Sequence, residues 1–213
     1  MSAESRAVAA PPVHPDLQIV DTRIGFERHL RVDVVRFRHR LFDGGWSGER
    51  TFDVVRRGAA VAILLYDPDR DVVVLVEQFR LAPLFAGVSP WQLECVAGLV
   101  DEGETPEQVA ARETREEADL ALIGPPLPIQ RFIPATGTYD ETVWLFCGRV
   151  DASGAAGIHG LAEEQEELRV VVKPLAEIQA MLDRGEIESS HTVICLYWLL
   201  RQRERLRREW AVA

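Results

Sequence analysis

Cysteine is scarce in this chain, and its placement indicates no disulfide framework. The three cysteines, Cys95, Cys147 and Cys195, show no CxxC spacing and lie in apolar stretches. This pattern predicts buried, free and unreactive thiols in a reducing compartment.

Long apolar runs and a basic face are also lacking. No apolar run reaches the roughly 18 residues of a membrane span, and the N-terminus has no apolar signal-peptide core. The net charge is −10, and the one strongly basic stretch lies at the far C-terminus. Nucleic-acid binding through a basic face is therefore not expected. We expect a cytoplasmic protein that binds neither membranes nor nucleic acid.

The chain length and the order of its segments predict the fold class. A chain of 213 residues has room for one medium domain and a small appendage. Residues 1–16 are small and proline-containing, and predict a disordered tail. Alternating polar and apolar residues in 17–57 predict a small antiparallel β domain. Residues 58–213 contain strands, a short acidic helix, further strands and two more helices, which predicts an α+β fold with helices on a mixed sheet.

The most informative segment is GLVDEGETPEQVAARETREEADL, at 98–120. Glu113 and Glu117 are four residues apart and share a helix face, with Glu116 beside them and Glu104 in the preceding loop. Like charges at this spacing destabilise a helix unless cations neutralise them. Because the side chains offer only oxygen ligands, the segment predicts an Mg²⁺ site, with Mn²⁺ as a substitute. The alternative is a solvated acidic helix face.

The boundaries of this helix are well marked. Thr105 suits the N-cap, Pro106 the first helical position, and Gln108 the third position of a capping box. Arg112 lies beside the carboxylates, either as an ordinary helical ion pair or as a residue that orients the ligands. Glu104 is either an outer ligand or a support for Arg112.

The segment resembles the Nudix box, whose pattern is G, five residues, E, seven residues and REUxEExGU, where U is a bulky aliphatic residue. Two positions depart from the pattern. Thr114 occupies an aliphatic position, and Asp119 replaces a glycine at the helix end, where a positive φ is often required. The positions in register are Gly98, Glu104, Arg112, Glu113, Glu116, Glu117 and Leu120.

Further segments resemble the ADP-ribose pyrophosphatase branch of the Nudix hydrolases, over roughly residues 30–210. They are VVLVEQFR, PWQLECVAGLVDEGE, GIHGLAEEQEELRV and ESSHTVICLYWLL. The resemblance implies a Nudix-type α/β/α sandwich on a mixed sheet, preceded by a β domain that helps to build a homodimer. It also implies Mg²⁺-dependent hydrolysis of ADP-ribose to AMP and ribose 5-phosphate.

The same resemblance assigns site residues beyond the helix. It adds the carbonyl of Ala97 and the Glu166 carboxylate to the metal ligands, and it makes Glu164 the general base. Glu116 and Arg112 are counted with the catalytic group, and Gly98 with the substrate-binding residues. Which glutamate of the loop 163–167 is the base stays open.

Substrate-binding residues are expected outside the box. Arg80 follows a buried strand and is suited to bind phosphate through its guanidinium; the alternative is a salt bridge at an interface. Glu141 is in register with a glutamate that lies near the bound sugar in the branch. Phe52 or Trp46 could stack on adenine, although either could equally belong to a dimer core.

Two alternatives to ADP-ribose hydrolysis follow from the same residues. The loop 136–141 departs from the branch, so the substrate could be another nucleoside diphosphate sugar of the GDP-mannose type. The chain could also be a catalytically silent Nudix module that senses ADP-ribose, although it retains every glutamate of the box.

Overall fold

The computed structural model of the protein describes residues 12–160 and 167–210. Internal contacts divide the described chain into two compact units. Unit 1 ends at Arg57 and also contains Ala135–Glu141, whereas unit 2 comprises Gly58–Pro134 and the described residues from Thr142 onward. The predicted disordered tail, 1–16, lies largely outside the described residues.

Unit 1 is built on a three-stranded antiparallel sheet in the order β1–β2–β3. Its strands are β1 (Leu17–Glu27), β2 (Arg31–His39) and β3 (Arg50–Arg56). The glycine pair at 44–45 predicts a hairpin turn, and it lies in the connection between β2 and β3, where Gly44 has φ 87° and donates its backbone N–H to the carbonyl of Leu41. The small antiparallel β sheet predicted from residue alternation is confirmed.

The segment Ala135–Glu141 joins unit 1 through backbone and ionic contacts. The N–H of Val55 donates to the carbonyl of Thr138 at 2.9 Å, and the N–H of Asp140 donates to the carbonyl of Val55 at 3.1 Å. Arg56 Nε also lies 2.9 Å from a carboxylate oxygen of Asp140. A loop distant in sequence thereby packs beside β3.

Unit 2 contains an eight-stranded mixed sheet, whose longest path runs β10–β11–β5–β4–β9–β8. Strands β4 and β9 are parallel, and the other paired strands are antiparallel. The elements are β4 (Ala59–Asp67), β5 (Val72–Phe79), α1 (Leu81–Phe85), β6 (Trp91–Glu94), β7 (Val96–Leu99), α2 (Pro106–Ala118), β8 (Leu127–Phe132), β9 (Thr142–Arg149), β10 (Ile158–His159), β11 (Leu168–Pro174), α3 (Leu175–Asp183) and α4 (Ser190–Trp210).

Helices cover both faces of this sheet, because alternate strand residues feed two separate apolar clusters. One cluster contains Leu64, Leu75 and Leu145 and packs against α3 and α4. The other contains Ile63 and Val76 and packs against α2. The predicted α/β/α arrangement is therefore confirmed. The three cysteines are free and buried, as predicted, in or beside the α4 cluster.

One predicted strand is divided in the structure. The largely apolar segment WQLECVAG predicts a single strand, but the chain leaves β5 after Glu94, crosses at Cys95 and pairs with β4 from Val96. It thus wedges between β4 and β5, which pair directly at only three positions. The apolar segments AAVAILLYD and DVVVLVEQFR, separated by a turn, predict a buried hairpin, and the hairpin that β4 and β5 form is correspondingly short.

None of the helices in the described residues is both long enough and apolar enough to span a membrane.

Candidate active site

The acidic segment forms the predicted loop and helix. Thr105 Oγ1 accepts a hydrogen bond from the backbone N–H of Gln108 at 3.3 Å, and the Gln108 side chain accepts one from the N–H of Thr105 at 2.8 Å. This reciprocal pair is the predicted capping box, and Pro106 begins α2. The cap fixes where the helix starts, and therefore which face carries the glutamates.

Both departures from the box pattern are accommodated locally. Asp119 caps the C-terminus of α2 in the left-handed region, with φ 50° and ψ 37°, the conformation expected at a glycine position. Thr114 is fully buried, and its hydroxyl donates to the carbonyl of Ala110 at 2.6 Å. A β-branched residue that satisfies its own hydroxyl can replace an aliphatic side chain there.

Gly98 in β7 provides the space that the Glu113 carboxylate occupies. A Cβ atom on Gly98 would lie 1.7 Å from Oε1 and 2.2 Å from the carboxyl carbon of Glu113. Any side chain at position 98 would displace this carboxylate. The first residue of the segment thus supports a metal-ligand candidate sterically; the substrate-binding role assigned to it stays a prediction.

Glu117 is held against the same strand. It is only 5% exposed, and its Oε2 accepts a hydrogen bond from the backbone N–H of Ala97 at 3.1 Å. A buried carboxylate requires such a partner, because desolvation disfavours an unpaired charge. The structure therefore brings Ala97, Gly98, Glu113 and Glu117 together where β7 meets α2.

Arg112 is the centre of an ionic network on the exposed side of this site. Its Nε and Nη2 donate to the two carboxylate oxygens of Glu104, each at 3.1 Å. Its Nη1 donates to Glu113 at 2.7 Å and to Glu116 at 3.0 Å, and Nη2 also donates to the carbonyl of Leu99 at 3.4 Å. From the sequence, Glu104 is expected to be either an outer metal ligand or a support for Arg112. Its two hydrogen bonds from Arg112 agree with the second role.

The ionisation of the network follows from these contacts. Hydrogen bonds from Arg112 hold the pKa of Glu104 below its ordinary value. The hydrogen bond to Glu104, with further contributions from Glu113 and Glu116, raises the pKa of Arg112. Glu104 and Arg112 therefore form an ion pair, and the same guanidinium also contacts Glu113 and Glu116.

The type of donor atom at the site fits a hard divalent cation, although the ligands that the structure describes are not gathered into a complete set. Within residues 12–160 and 167–210, no group of three or more carboxylate, histidine or cysteine side chains is arranged to hold a metal ion. One predicted ligand, Glu166, lies outside these residues. The predicted ligands all bind through oxygen, which is the donor type that Mg²⁺ and Mn²⁺ prefer. The glycine-made space for Glu113 is a second feature consistent with a carboxylate placed for binding.

Arg80 immediately follows β5 and is anchored by an acidic neighbour. Its Nε donates to Oε2 of Glu94 at 3.0 Å, and Oε2 also accepts from the Gln78 side chain at 3.1 Å. The Arg80 side chain is 45% exposed. No motif in the sequence marks Glu94, although the alternation of residues 92–98 places it on the same sheet face as Gly98.

The two remaining substrate candidates lie in unit 1. Glu141 is 8% exposed, and one of its carboxylate oxygens accepts a hydrogen bond from Arg57 Nε at 3.4 Å. Phe52 in β3 is 49% exposed. The alternative aromatic residue, Trp46, is covered by the guanidinium of Arg40, 4.4 Å from the ring centroid.

Two predicted residues cannot be placed. The general-base candidate Glu164 and the metal-ligand candidate Glu166 lie outside the described residues, which resume at Glu167. The roles assigned to them stay predictions.

Comparisons with known proteins agree with the geometry of the site. The NUDIX domain matches residues 56–197. The chain is 40% identical to the ADP-ribose pyrophosphatase of Escherichia coli K12, over 92% of this chain and 93% of that protein. It is 37% identical to the ADP-ribose pyrophosphatase of Haemophilus influenzae, over 92% of this chain and 91% of that protein.

A more distant relative and a solved structure complete the comparison. The GDP-mannose pyrophosphatase of Citrobacter koseri is 31% identical, over 78% of this chain and 80% of that protein. A crystal structure of an ADP compounds hydrolase has the same fold, with a TM-score of 0.69 at 19% identity, and covers 95% of this chain and all of that one. The chain therefore belongs to the Nudix family and, within it, to the ADP-ribose pyrophosphatase branch.

Proposed function

We propose that this protein hydrolyses ADP-ribose to AMP and ribose 5-phosphate in a reaction that requires Mg²⁺. The observation that carries the proposal is the pair of anchored carboxylates: Glu113 fills the space left by Gly98, and Glu117 is bonded to the Ala97 N–H. Similarity to ADP-ribose pyrophosphatases extends over 92% of the chain, which favours ADP-ribose over other nucleotide sugars.

The cation would be held by carboxylates and one carbonyl. The residues are Glu113, Glu116, Glu117, the Ala97 carbonyl and Glu166. Bound there, Mg²⁺ or Mn²⁺ would neutralise the pyrophosphate and lower the pKa of a water molecule. Arg112 fixes the directions of Glu113 and Glu116, whose carboxylates it contacts.

The chain itself supplies the phosphate contact and the proton acceptor. Arg80 binds a phosphate oxygen through its exposed guanidinium. Glu164 accepts a proton from the attacking water, a new O–P bond forms, and the bond from that phosphorus to the bridging oxygen breaks. Glu141 and Phe52 are the candidates for contacts with the ribose and the adenine.

The activity is tested by incubating the protein and Mg²⁺ with ADP-ribose, GDP-mannose and other nucleotide sugars, and identifying the products. We expect AMP and ribose 5-phosphate from ADP-ribose. Preferential hydrolysis of GDP-mannose would establish the second candidate, which the altered 136–141 loop and the 31% identical GDP-mannose pyrophosphatase favour. Tight binding of ADP-ribose without any turnover would indicate a sensor.

The base assignment has a separate test. Glu164→Gln should lower kcat by about 10²–10⁴-fold, the range for a lost general base, and leave Mg²⁺ affinity largely unchanged. Glu163→Gln is the matched control and should resemble wild type. The opposite pattern would transfer the base to Glu163.

We also propose that the protein is cytoplasmic and forms a homodimer through the unit 1 sheet. Large apolar side chains on β1 and β3 are exposed and support this proposal; they are Val20, Ile24, Phe26 and Phe52.

A further inference from the structure

Glu94 lies on the sheet face that carries α2. It is the direct antiparallel partner of Val76, and Gln78 lies two residues further along β5, on the same face. Val76 and Val96 belong to the apolar cluster beneath α2. Because alternate strand residues share a face, Glu94 lies on the same side as Gly98 and its contact with Glu113.

One carboxylate oxygen of Glu94 accepts hydrogen bonds from two neighbouring side chains. Oε2 lies 3.0 Å from both Nε and Nη2 of Arg80, and 3.1 Å from Nε2 of Gln78. Gln78 is 7% exposed and the Glu94 side chain 18% exposed. The acceptor is thus held by a buried amide, whereas the Arg80 guanidinium that it holds remains 45% exposed.

The contact with Glu94 restricts the orientation of the Arg80 side chain and leaves part of its guanidinium available to a ligand. A guanidinium has five N–H donors in a rigid fork, and the Glu94 contact involves only Nε and Nη2. A partly exposed ion pair contributes little to stability. Its main effect here is to order the long Arg80 side chain before a ligand binds, so that less conformational entropy is lost on binding.

We propose that Glu94 is a positioning residue, which fixes the Arg80 guanidinium in the direction of a substrate phosphate and is itself held by Gln78. This inference rests on the proposed function, because it assumes that Arg80 contacts phosphate. It predicts that Glu94 acts through Arg80 and has no independent effect on the reaction.

A double-mutant cycle tests this dependence. Glu94→Ala should raise the KM for ADP-ribose about tenfold, a coupling of about 1.4 kcal/mol, with kcat changed less than twofold. Arg80→Ala should raise KM at least as much, and the double variant should match Arg80→Ala because the two residues act as a unit. Glu94→Gln, whose amide oxygen still accepts a hydrogen bond, should recover part of the loss.

Glu77 provides the matched control. It neighbours Gln78 on β5 but pairs with Arg169 and Leu93 on the opposite sheet face. Glu77→Ala removes an ion pair of the same sheet and should leave KM and kcat unchanged. If the increases in KM caused by the two single substitutions multiply in the double variant, or if Glu94→Ala lowers kcat at constant KM, then Glu94 acts directly. Either result would overturn the proposal.

A binding measurement separates this inference from the proposed function. Inorganic pyrophosphate, which represents the group shared by all candidate substrates, is titrated calorimetrically into each variant in EDTA. We expect Glu94→Ala to weaken binding and Arg80→Ala to weaken it at least as much, whichever nucleotide sugar is hydrolysed. Wild-type affinity in Glu94→Ala, or no pyrophosphate binding by the wild-type protein, overturns the inference. If the protein does not hydrolyse ADP-ribose but Glu94→Ala and Arg80→Ala still weaken pyrophosphate binding, only the proposed substrate is overturned.

Discussion

Gly98 shows how one missing side chain can determine a site. Because a Cβ at position 98 would lie 1.7 Å from Glu113 Oε1, Gly98→Ala must move the carboxylate. The φ of Gly98 is not positive, so alanine causes no backbone strain there. We expect kcat/KM for ADP-ribose to fall about 10²-fold, as for a misplacement of about 1 Å, with the free energy of unfolding changed little.

Gly154→Ala is the control for that substitution, since no atom of the described residues lies within 4 Å of the added Cβ. It should retain wild-type kinetics in the same steady-state assay. Equal activity of Gly98→Ala and Gly154→Ala would show that the Glu113 position is not critical.

Asp119 is expected to lower the stability of the C-terminal end of α2, as its occurrence at a glycine position of the box already indicated. It has φ 50° at the C-terminus of α2, where the left-handed conformation and a negative charge are both unfavourable for aspartate. Asp119→Gly should therefore raise the free energy of unfolding by about 0.5–1 kcal/mol, measured by urea denaturation. Asp119→Asn removes the charge and keeps the conformational preference, so it separates the two causes. Destabilisation by both substitutions would contradict this account.

The residue types of the site were predictable, but their partners were not. Spacing alone identified Glu113 and Glu117, because i and i+4 positions share a helix face. The anchoring of Glu117 by the Ala97 N–H and the role of Glu94 depend on strand pairing. That pairing joins residues far apart in sequence.

At the scale of the elements, α4 is tied to the turn between β4 and β5 by a partly buried polar network. Arg203 donates to both carboxylate oxygens of Asp71, and Tyr66 Oη donates to Oδ1 at 2.7 Å. The hydrogen bonds from Arg203, and then that from Tyr66, hold the pKa of Asp71 below its ordinary value of 3.8. Asp71 also has φ 57°, which asparagine tolerates equally well.

Asp71→Asn should lower the free energy of unfolding by about 1–2 kcal/mol at pH 7, because charged hydrogen bonds become neutral ones. A depressed folded-state pKa contributes stability above pH 3.8, and that contribution is lost as the pH falls through the folded pKa. The difference between wild type and variant should therefore be constant from pH 7 to pH 5 and shrink below pH 4. Denaturant titrations across this range measure it; a difference that grows on acidification would contradict the assignment.

Most elements were predictable from residue periodicity, and the exceptions have physical reasons. The small β sheet in 17–57 was recognised from the alternation of its residues, and the helix at 106–118 from its capping residues and the spacing of its glutamates. The helix α1 (Leu81–Phe85) was missed because it buries none of its residues, and so has no amphipathic pattern. The division of β6 from β7 at Cys95 follows from tertiary pairing with two different strands.

At the scale of the whole molecule, the two units differ sharply in how they bury apolar surface. The apolar cores of the described chain are formed by residues of unit 2. In the described residues 12–57, the buried side chains are those of Asp33 and Ser47, and no hydrophobic side chain is buried. A three-stranded sheet requires an apolar contact surface for independent stability. A second copy of the chain is the partner that we propose.

Phe26 offers a direct test of that dimer. It lies on β1 and is 45% exposed. Multi-angle light scattering after size exclusion should give about twice the 23.9 kDa chain mass for the wild-type protein, and the mass of a single chain for Phe26→Glu, because burying an unpaired charge opposes association. Phe42→Glu changes a fully exposed phenylalanine in the β2–β3 connection, outside the sheet, and should remain dimeric. A monomeric wild type, or a dimeric Phe26→Glu, would exclude the β1 surface as the interface.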